Sequence, residues 1–186
     1  MTESTSPYSR EIGDHGSRVV FLHGLFGQGR NWTQIGKSLA DPTRGDRHRV
    51  LLVDLPHHGR SGWDDTFDYV RIADQVAELL DAEDPAALVG HSLGGKVAMV
   101  LALRHPGLVE RLCVVDVSPV DYDTLSQFQG YVAAMKGLDL NTLAQRSDAD
   151  AALAEAVPDA TVRGFLLQNL RRDGDRWRWQ VNLDVL

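Results

Sequence analysis

A serine flanked by glycines is the strongest chemical signal in this chain of 186 residues. In Gly90-His91-Ser92-Leu93-Gly94, a glycine stands two positions from the serine on each side. Such small neighbours permit a tight turn between a strand and a helix, which would raise the Ser92 hydroxyl above the end of the strand. The Leu93 N–H, at the start of the helix, would point to the same spot. The pattern therefore predicts a serine nucleophile beside a hydrogen-bond donor, an arrangement suited to attack on an acyl carbonyl.

The residues on either side predict the strand, turn and helix that this motif requires. Residues 85–89 form a short apolar run typical of a buried strand, and residues 96–104 repeat apolar side chains at helical spacing. The alternative is a glycine-rich turn without chemistry, which these flanks disfavour.

Further apolar runs predict the remaining strands of one sheet, at residues 18–22, 49–53 and 111–117. Helical patterns separate these runs, and Asp68 is the predicted N-cap of one helix. Strands that are apolar on both faces and alternate with helices predict an α/β fold, a parallel sheet covered on both sides. Ligands bind beyond the carboxyl ends of such strands. Two loops, one beginning at His23 and one at Asp54, lie at these ends, together with Ser92 and Asp116.

The chain divides into three predicted parts. Residues 1–17 form a loose polar arm, residues 18–119 form the α/β core, and residues 120–186 form a helical lid. The lid is predicted because helical patterns follow one another without an intervening apolar strand, over residues 122–135, 138–146, 149–156 and 161–170.

Composition and charge narrow the classes of partner. A net charge of −7 disfavours binding to nucleic acid or to an anionic membrane surface. No secretory signal opens the chain, and no apolar stretch reaches the roughly 18 residues that span a bilayer. The single cysteine, Cys113, excludes an internal disulfide and lies in an apolar run. We therefore expect a cytoplasmic protein with a buried, inert thiol.

Taken together, these motifs resemble the α/β-hydrolase superfamily, and within it the small esterases of the YbfF type. The resemblance rests on His23-Gly24-Leu25-Phe26-Gly27, Asp54 with His58-Gly59 and Ser61, the stretch from Gly90 to Lys96, and the stretch from Asp116 to Tyr122. Pro56-His57 stands where such esterases often carry Arg-Asn, a change that affects the rim of the pocket rather than the chemistry.

The resemblance implies hydrolysis of small carboxylic esters or thioesters through an acyl-serine on Ser92, without a metal or an organic cofactor. Leu25 and Leu93 would supply the backbone N–H groups of an oxyanion hole, and Asp116 would orient the catalytic histidine. The alternative for Asp116 is a cap before Ser118-Pro119. The residues expected to contact substrate are His23, Phe26, His91, Phe128 and Tyr131. At their helical spacing, Phe128 and Tyr131 fit the core of the lid equally well.

The base that this chemistry needs is missing from its expected place. In this family the histidine follows the acid along the chain, but no histidine follows Asp116. His57 and His58 are expected in a turn at the rim, and geometry disfavours recruitment of His23 or His58 as the base. The sequence therefore predicts that a missing C-terminal segment or a second chain supplies the histidine. We expect the 186-residue chain alone to be inactive and poorly stable, with an apolar sheet edge left exposed.

Other functions stay open at this stage. A non-catalytic α/β-hydrolase-like fragment that binds a ligand or partner would also lack the histidine. Cofactor-free haloperoxidases and carbon–carbon hydrolases use similar parts. A Rossmann nucleotide site is disfavoured because Gly24, Gly27 and Gly29 do not have the required spacing.

Overall fold

A five-stranded sheet organises the first of the two units into which the chain divides, Met1–Pro119 and Val120–Leu186. This computed structural model describes residues 6–120 and 126–186. The strands are β1 (Ser9–Ile12), β2 (Arg18–Leu22), β3 (Arg49–Val53), β4 (Ala86–His91) and β5 (Val109–Val115). They lie in the order β1-β3-β2-β4-β5, and only the β1–β3 pair is antiparallel. The predicted α/β class is confirmed.

Helices cover the sheet on two faces because its central strands are apolar on both. The helices of the first unit are α1 (Thr33–Leu39), α2 (Tyr69–Ala77) and α3 (Leu93–Arg104). Val20 and Leu22 belong to the buried cluster that includes side chains of α2 and α3, whereas Val19 and Phe21 belong to the cluster on the opposite face. The predicted N-cap of α2 is confirmed, since the Asp68 side chain accepts hydrogen bonds from two backbone N–H groups of the first turn.

The middle of the N-terminal arm is a strand and is not loose. Ser9–Ile12 forms β1 and pairs with β3 from Ser9 opposite Val53 to Ile12 opposite Val50. The sequence analysis missed this strand because its residues are mostly polar. An edge strand with partly exposed side chains does not need the apolar run that marks a central strand.

Strand β5 lies at the other edge of the sheet and carries exposed apolar side chains. Leu112 is 42% exposed and Val115 is 36% exposed. Cys113 is also exposed, so the prediction of a buried thiol was wrong. Among the described residues, β5 pairs with β4 alone, and one side of its backbone stays without a strand partner. The predicted apolar edge is therefore present.

The second unit combines helices with a hairpin. Its elements are α4 (Ser126–Lys136), α5 (Arg146–Leu153), α6 (Ala160–Leu167), β6 (Leu170–Asp173) and β7 (Arg176–Trp179). The start of the helix predicted from residue 122 lies outside the described residues. The helix predicted over 138–146 is wrong: a short 3-10 turn, Leu140–Thr142, forms there, and α5 begins only at Arg146.

The hairpin of the second unit was not predicted from the sequence. Gly174, with a φ of 59°, forms the turn between β6 and β7. The hairpin tryptophans anchor it, because Trp177 donates its indole N–H to the Leu143 carbonyl and Trp179 donates to the Met135 carbonyl. No helix in residues 6–120 or 126–186 has the length and apolar character needed to cross a membrane.

Candidate active site

Ser92 occupies a strained turn between β4 and α3. Its φ of 51° and ψ of −116° lie in a region that side-chain-bearing residues rarely adopt. The surrounding backbone holds it there: the Ser92 N–H donates to the Val115 carbonyl at 3.0 Å, and the Ser92 carbonyl accepts from the N–H groups of Gly95 and Lys96. The structure therefore has the sharp strand-to-helix turn that the sequence predicts.

The glycines around Ser92 let backbone pack directly against backbone. A Cβ on Gly94 would lie 2.5 Å from the carbonyl oxygens of both Leu22 and His23. Real Cβ atoms do not approach other atoms so closely. Both oxygens belong to the backbone, so they cannot move away as the end of a flexible side chain could. Helix α3 can therefore begin this close to the end of β2 only without a side chain at Gly94.

The first loop (residues 23–29) lies against the Ser92 turn. A side chain at Gly24 would come within 3.2 Å of Ser92 Cβ and 2.8 Å of His91 Nδ1. The loop then turns at Phe26, a buried residue with a φ of 61°, and the Gly27 N–H donates to the Gly24 carbonyl at 2.9 Å. Leu25, a predicted oxyanion-hole residue, thus follows the glycine beside Ser92, and Leu93 directly follows Ser92 in the chain.

The second loop (residues 54–62) ties the first loop in place. The carboxylate of Asp54 is buried and accepts one hydrogen bond from the Gly29 N–H at 2.7 Å and another from the Arg60 N–H at 3.0 Å. His23 Nε2 accepts from the Leu55 N–H at 2.9 Å. Each loop therefore contributes a side chain that satisfies the backbone of the other.

The histidines of the second loop are inside the protein rather than at its rim. His57 is 1% exposed and His58 is fully buried, so their predicted position at the rim was wrong. Burial lowers the pKa of His58 to about 3 and that of His23 to about 4, from an ordinary value of 6.5. Both rings are therefore neutral at pH 7. His23 has both ring nitrogens within hydrogen-bond distance of loop backbone groups.

Asp116 lies just beyond β5 with a φ of 58° and a side chain that is 83% exposed. The Nε2 atom of His91 is 3.7 Å from Asp116 Oδ2. The His91 ring also meets Trp32 edge to face, at 6.5 Å between ring centroids. Sequence reasoning missed the contact between His91 and Asp116, which follows from the register that sets His91 opposite Val115.

No imidazole among residues 6–120 and 126–186 is hydrogen-bonded to the Ser92 hydroxyl. The described part of the chain also contains no group of three or more His, Cys, Asp or Glu side chains placed to hold a metal ion. The site as described thus consists of a serine on a strained turn, a glycine loop beside it and an exposed carboxylate.

Phe128 and Tyr131, predicted to contact substrate, lie on α4 in the second unit. Their rings meet edge to face with centroids 6.4 Å apart, and Phe128 is partly exposed. Two other apolar residues of that unit, Met135 on α4 and Leu166 on α6, are buried. Contact of Phe128 and Tyr131 with substrate stays a prediction, as do the predicted substrate contacts of His23, Phe26 and His91.

Comparison with known proteins gives one consistent result. The sequence profile of the alpha/beta hydrolase fold family matches residues 17–173. The sn-1-specific diacylglycerol lipase ABHD11 of Mus musculus is 41% identical over 174 residues, which are 90% of this chain and 56% of that protein. Esterase YbfF of Escherichia coli K12 is 30% identical over 172 residues, 91% of this chain and 64% of that protein.

A solved structure agrees with these sequence relatives. A marine microorganism esterase superposes with a TM-score of 0.89 at 33% identity, covering 96% of this chain and 69% of its own. The chain therefore spans little more than half the length of the lipase and about two thirds of the two esterases.

Proposed function

Because the chain belongs to the alpha/beta hydrolase fold family, we propose that it carries the serine, the acid and the oxyanion-binding backbone of a hydrolase for small carboxylic esters or thioesters. The observation that carries this proposal is the strained Ser92 turn packed against Gly24 of the first loop. The esterases and the lipase among its relatives support the same chemistry.

In the proposed reaction, Ser92 Oγ gives its proton to a base and bonds to the acyl carbon. The carbonyl oxygen becomes an anion, which the Leu25 and Leu93 N–H groups would hold; one such donor is typically worth about 2.7–4 kcal/mol in the transition state. The anion then collapses, the bond to the alcohol or thiol breaks, and the base returns the proton to that leaving group. Water repeats the sequence on the acyl-serine and releases the acid.

The same proposal requires a base from outside these 186 residues. Ser92 has no imidazole hydrogen-bonded to it in the described part of the chain, and the Asp116 carboxylate is exposed. We propose that a further segment or a second chain brings the histidine and packs along β5. The exposed Leu112, Cys113 and Val115 support this strand as the docking edge, since an open apolar edge favours pairing.

Fluorophosphonate labelling of Ser92, followed by intact mass, tests the proposed function. A small base can substitute for the histidine, so free imidazole should accelerate formation of the phosphonyl adduct on the 186-residue chain. Ser92→Ala is the matched control and should give no adduct. In parallel, imidazole-assisted hydrolysis of p-nitrophenyl butyrate should be faster with the wild-type chain than with Ser92→Ala. Equal labelling and equal rates for the two proteins would favour the alternative, a non-catalytic fragment that binds a ligand or partner.

A further inference from the structure

A second buried imidazole, His58, lies directly beside His23 under the first loop. The two ring centroids are 5.0 Å apart and the rings meet at 64°, edge to face. His58 Nδ1 is 3.0 Å from the Pro56 carbonyl oxygen. His58 Nε2 is buried and has no hydrogen-bond partner in the described part of the chain. The proposed reaction does not use this ring, and its burial calls for a reason.

The partners of both rings assign their tautomers. A carbonyl oxygen only accepts, so His58 Nδ1 carries the hydrogen that it donates to Pro56. His23 Nε2 accepts from the Leu55 N–H and therefore carries no hydrogen. The ring hydrogen of His23 is on Nδ1, which donates to the Gly24 carbonyl at 2.8 Å. Each ring is therefore neutral and held in a single tautomer.

The Gly24 carbonyl links this pair of rings to the turn that carries Leu25. It accepts from His23 Nδ1 and also from the Gly27 N–H at 2.9 Å. A rotation or tautomer change of His23 would remove one of these two hydrogen bonds and loosen the turn. The His58 ring, packed against His23 and anchored at Pro56, restricts that rotation.

We propose that His58 is a positioning residue of the proposed ester hydrolysis. It fixes the orientation and tautomer of His23, and through the Gly24 carbonyl it fixes the turn that presents the Leu25 N–H. Only the link to catalysis rests on the proposed function, because the coupling between His58, His23 and the turn is a property of the folded chain.

The charges around the pair favour the neutral state on which this role depends. Burial is the main influence on both rings and disfavours protonation. His91 disfavours a positive charge on His23, which it faces. His23 and His57 face His58 and disfavour a positive charge on that ring. Asp54 acts in the opposite direction on His58, but weakly. A proton on either ring would therefore place a positive charge beside the other ring, with little negative charge nearby to compensate it.

Nuclear magnetic resonance of the 186-residue chain tests the proposal without any need for activity. His58→Phe keeps a ring beside His23 but removes the anchor to Pro56. We expect the imidazole nitrogen shifts of His23 to move from one tautomer towards a mixture. We also expect exchange of the Gly27 N–H to rise about tenfold relative to the β3 amide of Leu51, as for loss of one buried hydrogen bond.

Gln75→Met is the matched control, since Gln75 on α2 is also buried with an unpartnered side-chain oxygen. It should leave the His23 tautomer and the Gly27-to-Leu51 exchange ratio unchanged, even if it alters global stability. Unchanged values in both His58→Phe and His58→Leu would overturn the proposal. If the values change but Ser92 is never labelled, the coupling between His58, His23 and the turn stands and the proposed hydrolysis fails.

Discussion

The two sides of Ser92 differ in how completely the chain itself fixes them. On the side of the first loop, two backbone carbonyls approach Gly94, and the buried Asp54 and His23 satisfy backbone N–H groups of both loops. On the side of β5, Asp116 is 83% exposed and contacts His91 only at 3.7 Å. The comparison teaches that the described chain packs tightly on the first-loop side of Ser92, the closed side, and leaves the Asp116 side, the open side, exposed to solvent.

The cause of this difference is the position of each strand in the sheet. Strand β4 has a partner strand on both sides and α3 against it, whereas β5 lies at the edge. A parallel strand gains its rigidity from neighbours on both sides and both faces. Substitutions on the two sides should therefore have very different costs.

The largest effect is expected from Gly94→Ala, on the closed side. The added methyl group would meet the carbonyl oxygens of Leu22 and His23 at 2.5 Å, so the helix must shift. We expect a loss of about 4 kcal/mol in the free energy of unfolding, above the usual range for over-packing because the opposing atoms are backbone. Urea unfolding followed by circular dichroism measures this loss. Gly107→Ala, where nothing lies within 4 Å, is the control and should change stability by less than about 0.5 kcal/mol.

The next largest effect is the difference in lost stability between alanine substitutions at two leucines that are opposite each other in neighbouring strands. Leu88 on β4 is fully buried, and its partner Leu112 on β5 is 42% exposed. Leu88→Ala should cost about 3 kcal/mol because it leaves a cavity. Leu112→Ala should cost less than about 1 kcal/mol because its site opens to solvent. Equal losses in urea unfolding would show that β5 is covered after all.

Mild acid should destabilise the closed side through its buried imidazoles, and His57 adds to the effect of His23 and His58 because burial lowers its pKa too. Their pKa values, about 4 for His23 and about 3 for His58, lie below the ordinary 6.5. As the pH falls below 6.5, the unfolded chain takes up protons that the folded chain refuses, so stability is lost. Between pH 7.5 and 5.5 we expect a loss of about 1 kcal/mol for each of these two imidazoles. His58→Phe should remove about 1 kcal/mol of that loss, and an unchanged slope in this variant would contradict the assignment.

The smallest effect is expected at Asp116 itself. Since the carboxylate is mostly solvated and its contact with His91 is long, Asp116→Asn should change stability by less than about 0.5 kcal/mol. Asp54→Asn, which weakens two hydrogen bonds to a buried carboxylate, is the comparison and should cost about 2 kcal/mol. A similar cost for both variants in thermal unfolding would erase the contrast between the two sides.

The sequence predicts the closed side better than the open side. Strands β2 to β4 are predictable because each is a local apolar run. The turn at Ser92 is predictable because glycines stand at positions 90 and 94. An apolar run does not reveal whether its strand is central or at an edge, which is why Cys113 is exposed against expectation. The contact between His91 and Asp116 depends on the register of β4 with β5, which no local pattern encodes.

A misleading turn signal and strands with many polar residues account for the other differences between the predicted and the observed structure. The second-loop histidines follow a proline and precede a glycine, a pattern typical of exposed turns, yet two loops that bury each other place His57 and His58 inside. The hairpin of the second unit left a readable pattern, since arginine and tryptophan alternate in β7 directly after the turn glycine Gly174. The mostly polar β1 left no such pattern.

The exposed thiol of Cys113 gives the chain a built-in attachment point. It is the single cysteine of the sequence and lies on β5, so a maleimide dye would label one defined position at the open edge. The emission of that dye would report directly when another polypeptide covers the edge. In air, the same thiol would link two copies of the chain edge to edge, so reductant belongs in every purification buffer.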